Sequence, residues 1–258
     1  MELITAFLIF VLIFSANAWA IKDDKALVLY LPFDEGSGDT AKDASGSKLE
    51  ATLNGATWSK DGKIGSCIHL ESTEHYVEIE DVDELDITGE ITIQTWFFPK
   101  QSQGDSNLMG RRTPGNKGGY VLQWSAEFTN APQIETWIDI AGYKGTRRMQ
   151  TIKPELEQWH HVASTYDGEK VRQYIGGELD VEIDAPAGNI TSVDAVFRIG
   201  KSQTPLGGAI GYIDEVAIYN RALSADEIKQ DMNQGVLFDV TPNGKLATTW
   251  ANLKLFIR

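Results

Sequence analysis

Between Gln133 and Ile140 two kinds of side chain alternate, with Ile134, Thr136, Ile138 and Ile140 on one side and Gln133, Glu135, Trp137 and Asp139 on the other. Successive strand side chains point to opposite faces, so the spacing predicts a strand with one apolar face and one polar face that carries an indole. An aromatic ring accepts the C–H face of a sugar, and polar neighbours take its hydroxyls. Tyr143 follows in the predicted hairpin, and Arg147-Arg148 comes just after it. Trp137, Asp139, Tyr143 and Arg147 are therefore the candidate ligand-binding residues, and carbohydrate is the ligand class they fit. A second reading stays open, in which Trp137 packs beneath a loop. The basic pair, like Arg111-Arg112 in another predicted loop, then supplies only solvated charge.

The other reactive side chains assemble nothing catalytic. His160 and His161 are neighbours on a predicted strand and face opposite ways, so they cannot chelate one ion. His69 and His75 complete the histidines, and no cluster has zinc-ligand spacing. Cys67 is the only cysteine, so no intrachain disulfide forms. It stands in the apolar run Cys67-Ile68-His69-Leu70 and reads as a buried, inert thiol. Gly207-Gly208 reads as a turn, not a phosphate loop.

The elements that must position these residues are short. Apolar or alternating runs at Leu27 to Phe33, Tyr76 to Ile79, Ile91 to Phe98, Tyr120 to Trp124, Gln133 to Ile140, His160 to Tyr166, Val171 to Ile175, Phe197 to Gly200 and Ile210 to Tyr219 predict strands. Turn pairs such as Asn54-Gly55, Asp61-Gly62, Asp167-Gly168 and Gly176-Gly177 lie between them. Many short strands at this spacing predict an antiparallel β-sandwich in one domain, which a chain of 258 residues accommodates. One helix is predicted after Leu223, with Ser224 as N-cap, Glu227 three residues on as a capping box, and Gly235 as its stop.

The ends and the charge bound the setting. Leu3 to Phe14 is nearly all apolar and is followed by Ala16-Asn17-Ala18 and Ala18-Trp19-Ala20, the small-residue pattern of a cleaved leader. Residues 1–20 are thus read as a signal peptide, with an uncleaved anchor as the alternative. Residues 21–235 form the domain and 236–258 a tail. No second long apolar run follows, so the mature chain carries no predicted transmembrane span. A formal net charge of −14 argues against nucleic acid, whose phosphates need many Lys or Arg contacts. It suits a secreted or cell-surface protein, a cationic partner or bound calcium.

Several segments resemble the bacterial laminin-G-like, concanavalin A-like jelly rolls related to pentraxins. They are Leu31-Pro32-Phe33-Asp34-Glu35-Gly36-Ser37-Gly38, Ile91-Thr92-Ile93-Gln94-Thr95-Trp96-Phe97, Gly118-Gly119-Tyr120, Trp159-His160-His161-Val162-Ala163 with Tyr166-Asp167-Gly168, and the run from Gly211 to Ser224. Ile175-Gly176-Gly177 departs from the Asp or Asn usual before Gly in that turn. The resemblance implies two antiparallel sheets with the first and last strands adjacent, one short C-terminal helix, and surface, adhesive or carbohydrate-binding roles.

If those strands are neighbours, Asp34 and Asp214 approach one another, with Asp43 on the following loop. This is a candidate Ca²⁺ site, since calcium takes six to eight oxygens, and the family often carries that ion. Related enzymes place acids on one strand face in a Glu-x-Asp-x-(x)-Glu run, a pair able to act as nucleophile and acid/base. The nearest match, Glu84 to Glu90, is one residue too long, contains Gly89 and reads as a solvated turn. The sequence therefore predicts a non-catalytic binding module for carbohydrate or an extracellular matrix or surface protein, with calcium as a stabiliser. A structural or adhesive protein acting by protein contacts, and a glycoside hydrolase, are the alternatives.

Overall fold

The computed structural model describes residues 24–101, 105–113, 117–125, 133–140, 142, 151–203 and 207–236. The leader, Tyr143, Arg147 and the tail beyond residue 236 lie outside the described residues.

The described strands, in chain order, are β1 (Leu27–Leu31), β2 (Thr40–Lys42), β3 (Glu50–Asn54), β4 (Thr57–Ser59), β5 (Cys67–Leu70), β6 (Tyr76–Ile79), β7 (Ile91–Pro99), β8 (Asp105–Thr113), β9 (Lys117–Ser125), β10 (Gln133–Ile138), β11 (His160–Tyr166), β12 (Lys170–Ile175), β13 (Glu178–Asp184), β14 (Phe197–Ile199) and β15 (Gly211–Tyr219). They form a larger sheet ordered β13-β12-β11-β7-β15-β5-β4, with β1 also paired to β15, and a smaller sheet ordered β10-β9-β8-β14-β6-β3-β2. The first and last strands are neighbours: β1 runs antiparallel to the end of β15, with Leu31 opposite Val216, while β5 takes the start of the same edge.

The core fills the space between the sheets. Ile91, Ile93 and Phe97 of β7 face Tyr120, Leu122 and Trp124 of β9, all within one buried cluster. The Phe97 and Trp124 rings meet edge to face across it at 5.5 Å. The opposite side of β7 is covered as well. Helix α1 (Ala225–Gln234) lies over the outer face of the larger sheet and packs Ile228 with Tyr30, Tyr174 and Tyr219. Asp231 of α1 accepts hydrogen bonds from Gln94 Nε2 at 2.7 Å and Tyr219 Oη at 2.6 Å. The helix begins on the predicted capping box: Ser224 accepts from the Glu227 backbone, and Glu227 returns the bond to the Ser224 N–H. Val236 also packs in this second cluster, one residue past the predicted end of the domain.

The Gly176-Gly177 departure has a local reason. Ile175 pairs with Glu178, so the β12–β13 hairpin closes in two residues. Both have positive φ, 60° and 76°, as a type I′ turn demands. One expectation is corrected. Arg111 and Arg112 are not solvated loop residues; they lie in β8 and are 2% and 4% exposed. Arg111 Nη2 is held by Asp81 at 2.5 Å, by the Val193 carbonyl at 2.7 Å and by Asp86 at 3.2 Å.

Candidate functional site

On the smaller sheet, strand alternation sends Ile134 and Ile138 of β10 into the core and leaves Glu135 and Trp137 on the outer face. Register extends that face across three strands, since Glu135 is opposite Gln123 of β9, and Gln123 is opposite Asn107 of β8. The result is a transverse polar row beside the indole. Gln123 Nε2 donates to Glu135 Oε2 at 2.9 Å, Trp137 Nε1 donates to the same oxygen at 3.3 Å, and the Arg112 guanidinium stands 5.7 Å from the Trp137 ring centre. Asn107, Gln123 and Glu135 are almost wholly buried, although they face away from the core. Asn107 Oδ1 and Gln123 Oε1 have no hydrogen-bond partner among the described residues. Buried polar atoms are nearly always paired, with protein, water or ligand, and among the described residues these two are not.

Of the residues predicted to accompany Trp137, Asp139 is placed otherwise. Its carboxylate accepts from Gly118 N at 2.9 Å, Gly142 N at 3.0 Å and Thr191 Oγ1 at 3.2 Å. It thereby ties the end of β10 to the start of β9 and to the segment before β14, and it positions the sheet that carries Trp137. Tyr143 and Arg147 lie outside the described residues. Glu135 was visible in the alternation of β10, but Asn107 and Gln123 join it only through strand register, which no local pattern shows.

The predicted calcium ligands divide. Asp214 and Asp34 converge on one loop: Asp214 Oδ2 accepts from Ile64 N at 3.0 Å, and Asp34 Oδ1 accepts from Ser66 N at 2.8 Å. Among the described residues Asp43 shares no partner with either. Its oxygens take Tyr30 N, Ser45 N, Ser45 Oγ and Leu49 N and shape its own loop. Beside Asp214, β15 is bulged, and Glu215 adopts φ 53°. A bulge re-aims side chains, and here it turns Glu215 to the outer face, where Tyr30 Oη donates to it at 2.7 Å. Burial, then the charge of Asp34, pushes the Asp214 carboxyl up to about 8. Burial and Asp214 push Glu215 up as well. Two carboxylates on one loop suit a hard cation in charge. Among the described residues no three acidic, His or Cys side chains converge, so backbone carbonyls of the Gly62–Ser66 loop and water would have to complete a shell.

The remaining candidates make contacts within the fold. Asp83–Leu85 forms a 3-10 turn. Asp86 accepts from Ser192 Oγ at 2.7 Å and lies 3.2 Å from Arg111, and Glu90 accepts from Ala222 N. His161 is buried against the Trp96 edge, and burial lowers its pKa to about 3. His160 instead turns to the Glu155 carbonyl at 2.7 Å. Cys67 is fully buried, and burial raises its thiol to about 12. The thiolate is the reactive form, so Cys67 is expected to stay unlabelled by a thiol reagent at pH 8 in the native protein and to react at once in denaturant. Fast labelling of the native chain would refute this placement.

Comparison with known proteins agrees with this architecture. Domain 4 of AbnA, an extracellular GH43 arabinanase from Geobacillus stearothermophilus solved with arabinotriose, superposes with a TM-score of 0.64 at 19% identity, over 79% of this chain and 97% of that one. The binding domain of Paraclostridial Mosquitocidal Protein 1 gives 0.61 at 17% identity, over 81% of this chain and 52% of that one. Trypanosoma rangeli sialidase gives 0.56 at 17% identity, over 81% of this chain but 32% of that one. At these identities the likeness is one of fold. No curated protein matches the chain. No helix among the described residues is long and apolar enough to cross a membrane. The profile of the concanavalin A-like lectin/glucanases superfamily (Laminin_G_3) matches residues 71–229, more than half of the chain, and the protein belongs to that family.

Proposed function

We propose that this protein is a non-catalytic, extracellular carbohydrate-binding module whose ligand lies on the outer face of the smaller sheet, against Trp137. The observation that carries the reading is the partly exposed Trp137 indole on the outer face, at the end of the polar row of Asn107, Gln123 and Glu135. The fold family supports it, as does the arabinotriose complex of the similar arabinanase domain. Fold alone does not assign a function, so the test is a glycan array followed by titration of the best ligand, with arabino-oligosaccharides included. Trp137→Ala is expected to weaken binding about tenfold or more. Gln123→Met keeps the volume but removes both the carbonyl and the Nε2 donor to Glu135. It is expected to weaken binding and to lower stability by about 1–3 kcal/mol, so binding is compared on the folded variant. Binding that ignores both substitutions would refute the site. Polysaccharide turnover lost on Glu84→Gln or Asp86→Asn would refute the non-catalytic reading.

The Asp34–Asp214 approach favours a second element, a stabilising Ca²⁺ ion held by these two carboxylates. The ion would supply the positive charge that this like-charged pair lacks.

A further inference from the structure

On the outer face of the larger sheet, away from Trp137, lies a row of rings that the reading above does not use. His69 of β5 is paired with Tyr212 of β15, and Tyr212 with Phe98 of β7. Trp159, just before β11, continues the row. The His69 and Tyr212 rings stack at 4.4 Å, Phe98 meets Tyr212 at 5.6 Å, and Phe98 meets Trp159 at 5.7 Å. All four are half-buried. Four adjoining rings on an outer sheet face make an aromatic platform, whereas single exposed apolar side chains are ordinary.

One cation sits on the platform. Lys100 Nζ lies 4.4 Å from the Tyr212 ring centre, 3.0 Å from Tyr212 Oη and 3.2 Å from His69 Nε2. His69 Nδ1 is 3.4 Å from Glu71 Oε1. Burial and Lys100 lower the His69 pKa, which favours the neutral ring with its proton on Nδ1 and leaves Nε2 as acceptor. An ammonium has three N–H donors, and Lys100 spends two, both on neutral acceptors. Among the described residues it has no carboxylate within ion-pair distance. Tyr212 Oη accepts from Lys100 and keeps its own O–H. The platform thus presents a cation and two unspent donors over ring faces, in a chain whose formal net charge is −14.

We propose that Phe98, Trp159, Tyr212, His69 and Lys100 form a second saccharide site, specific for a carboxylate-bearing sugar. The rings stack on sugar C–H faces, and Lys100 and Tyr212 Oη donate to the carboxylate. The rest of the acidic surface repels such a ligand, so Lys100 sets its position and orientation. The inference takes from the reading above only the premise of a saccharide ligand; the surface and its chemistry are separate.

The test is calorimetric titration of the full chain with oligogalacturonate and with a neutral galacto-oligosaccharide of equal length. The acidic ligand is expected to bind at least about tenfold tighter, with affinity falling as salt rises. Lys100→Met should abolish that preference, Trp159→Ala should abolish binding, and Tyr212→Phe, which removes only the hydroxyl, should weaken the acidic ligand selectively. Trp137→Ala should change none of this, so the two sites fail independently. Melting temperatures close to wild type confirm that the variants fold. Absence of oligogalacturonate binding, equal binding of the neutral sugar, or loss of binding in Trp137→Ala would each overturn the proposal. Equally tight binding of polyglutamate would overturn the saccharide assignment.

Discussion

Titrated from about pH 6.5 to about pH 8.5 in chelator, the protein is expected to lose about 2 kcal/mol of stability, seen as a fall of about 4–8 °C in melting temperature. The source is Asp214, whose folded pKa is raised to about 8 by burial and by Asp34. The unfolded chain releases this proton near pH 4, whereas the folded chain holds it to about pH 8. Stability from the raised pKa is therefore fully present below the unfolded value and is lost as pH rises through the folded one. The chosen window leaves out the groups whose pKa is lowered. His161, lowered to about 3, adds stability that is lost only as pH falls below its unfolded value. Glu227, lowered to about 2 by its bonds to Arg221 and Ser224 against the cost of burial, acts only in acid. Glu215 works in the same direction as Asp214. Asp214→Asn should reduce the slope, leaving the part that comes from Glu215, and saturating Ca²⁺ should flatten or reverse it, because the ion replaces the proton. A flat profile in chelator would refute the protonated Asp214. A Ca²⁺-indifferent melt at pH 8.5 would refute the calcium element and leave the glycan site untouched.

Gly211→Ala is expected to destabilise the domain by about 2–4 kcal/mol. A Cβ at Gly211 would stand 2.0 Å from the Phe98 carbonyl oxygen, at a φ of +146°. Neither backbone can retreat, since β15 is bonded to β7 on one side and to β5 on the other at this level. Gly89 offers the control: a Cβ there meets nothing within 4 Å and its φ is ordinary, so Gly89→Ala should stay within about 0.5 kcal/mol of wild type. Chemical denaturation of both variants decides it, and a Gly211→Ala protein as stable as wild type would refute the close packing of β7 on β15. Because Gly211 adjoins Tyr212 and faces the residue after Phe98, a folded variant should also weaken the acidic-sugar site.

What the chain reveals locally and what only its folding decides can be separated residue by residue. Alternation alone placed Ile91, Ile93 and Phe97 on one side of β7 and Trp137 with Glu135 on one side of β10, because side-chain direction in a strand has a period of two and needs no partner. Ser224, Glu227 and Gly235 marked the helix for the same local reason, through bonds that span only a few residues. The tight Gly176-Gly177 hairpin was equally legible in the two glycines. β8 was missed because its sequence, Asp-Ser-Asn-Leu-Met-Gly-Arg-Arg-Thr, is largely polar; its arginines become buried only when β9, Asp81 and the Val193 segment close around them. Register, which depends on contacts far apart in sequence, aligned Asn107, Gln123 and Glu135 and gathered His69, Phe98, Trp159 and Tyr212. Asp34 and Asp214 come together because the first and last strands pair. Asp43, nine residues from Asp34 in the chain, turns into its own loop, because four nearby donors hold its carboxylate there. Strand alternation and turn residues suffice to specify a β-sandwich with an aromatic, polar outer strand, whereas which polar groups become buried, and against what, depends on what every other element covers.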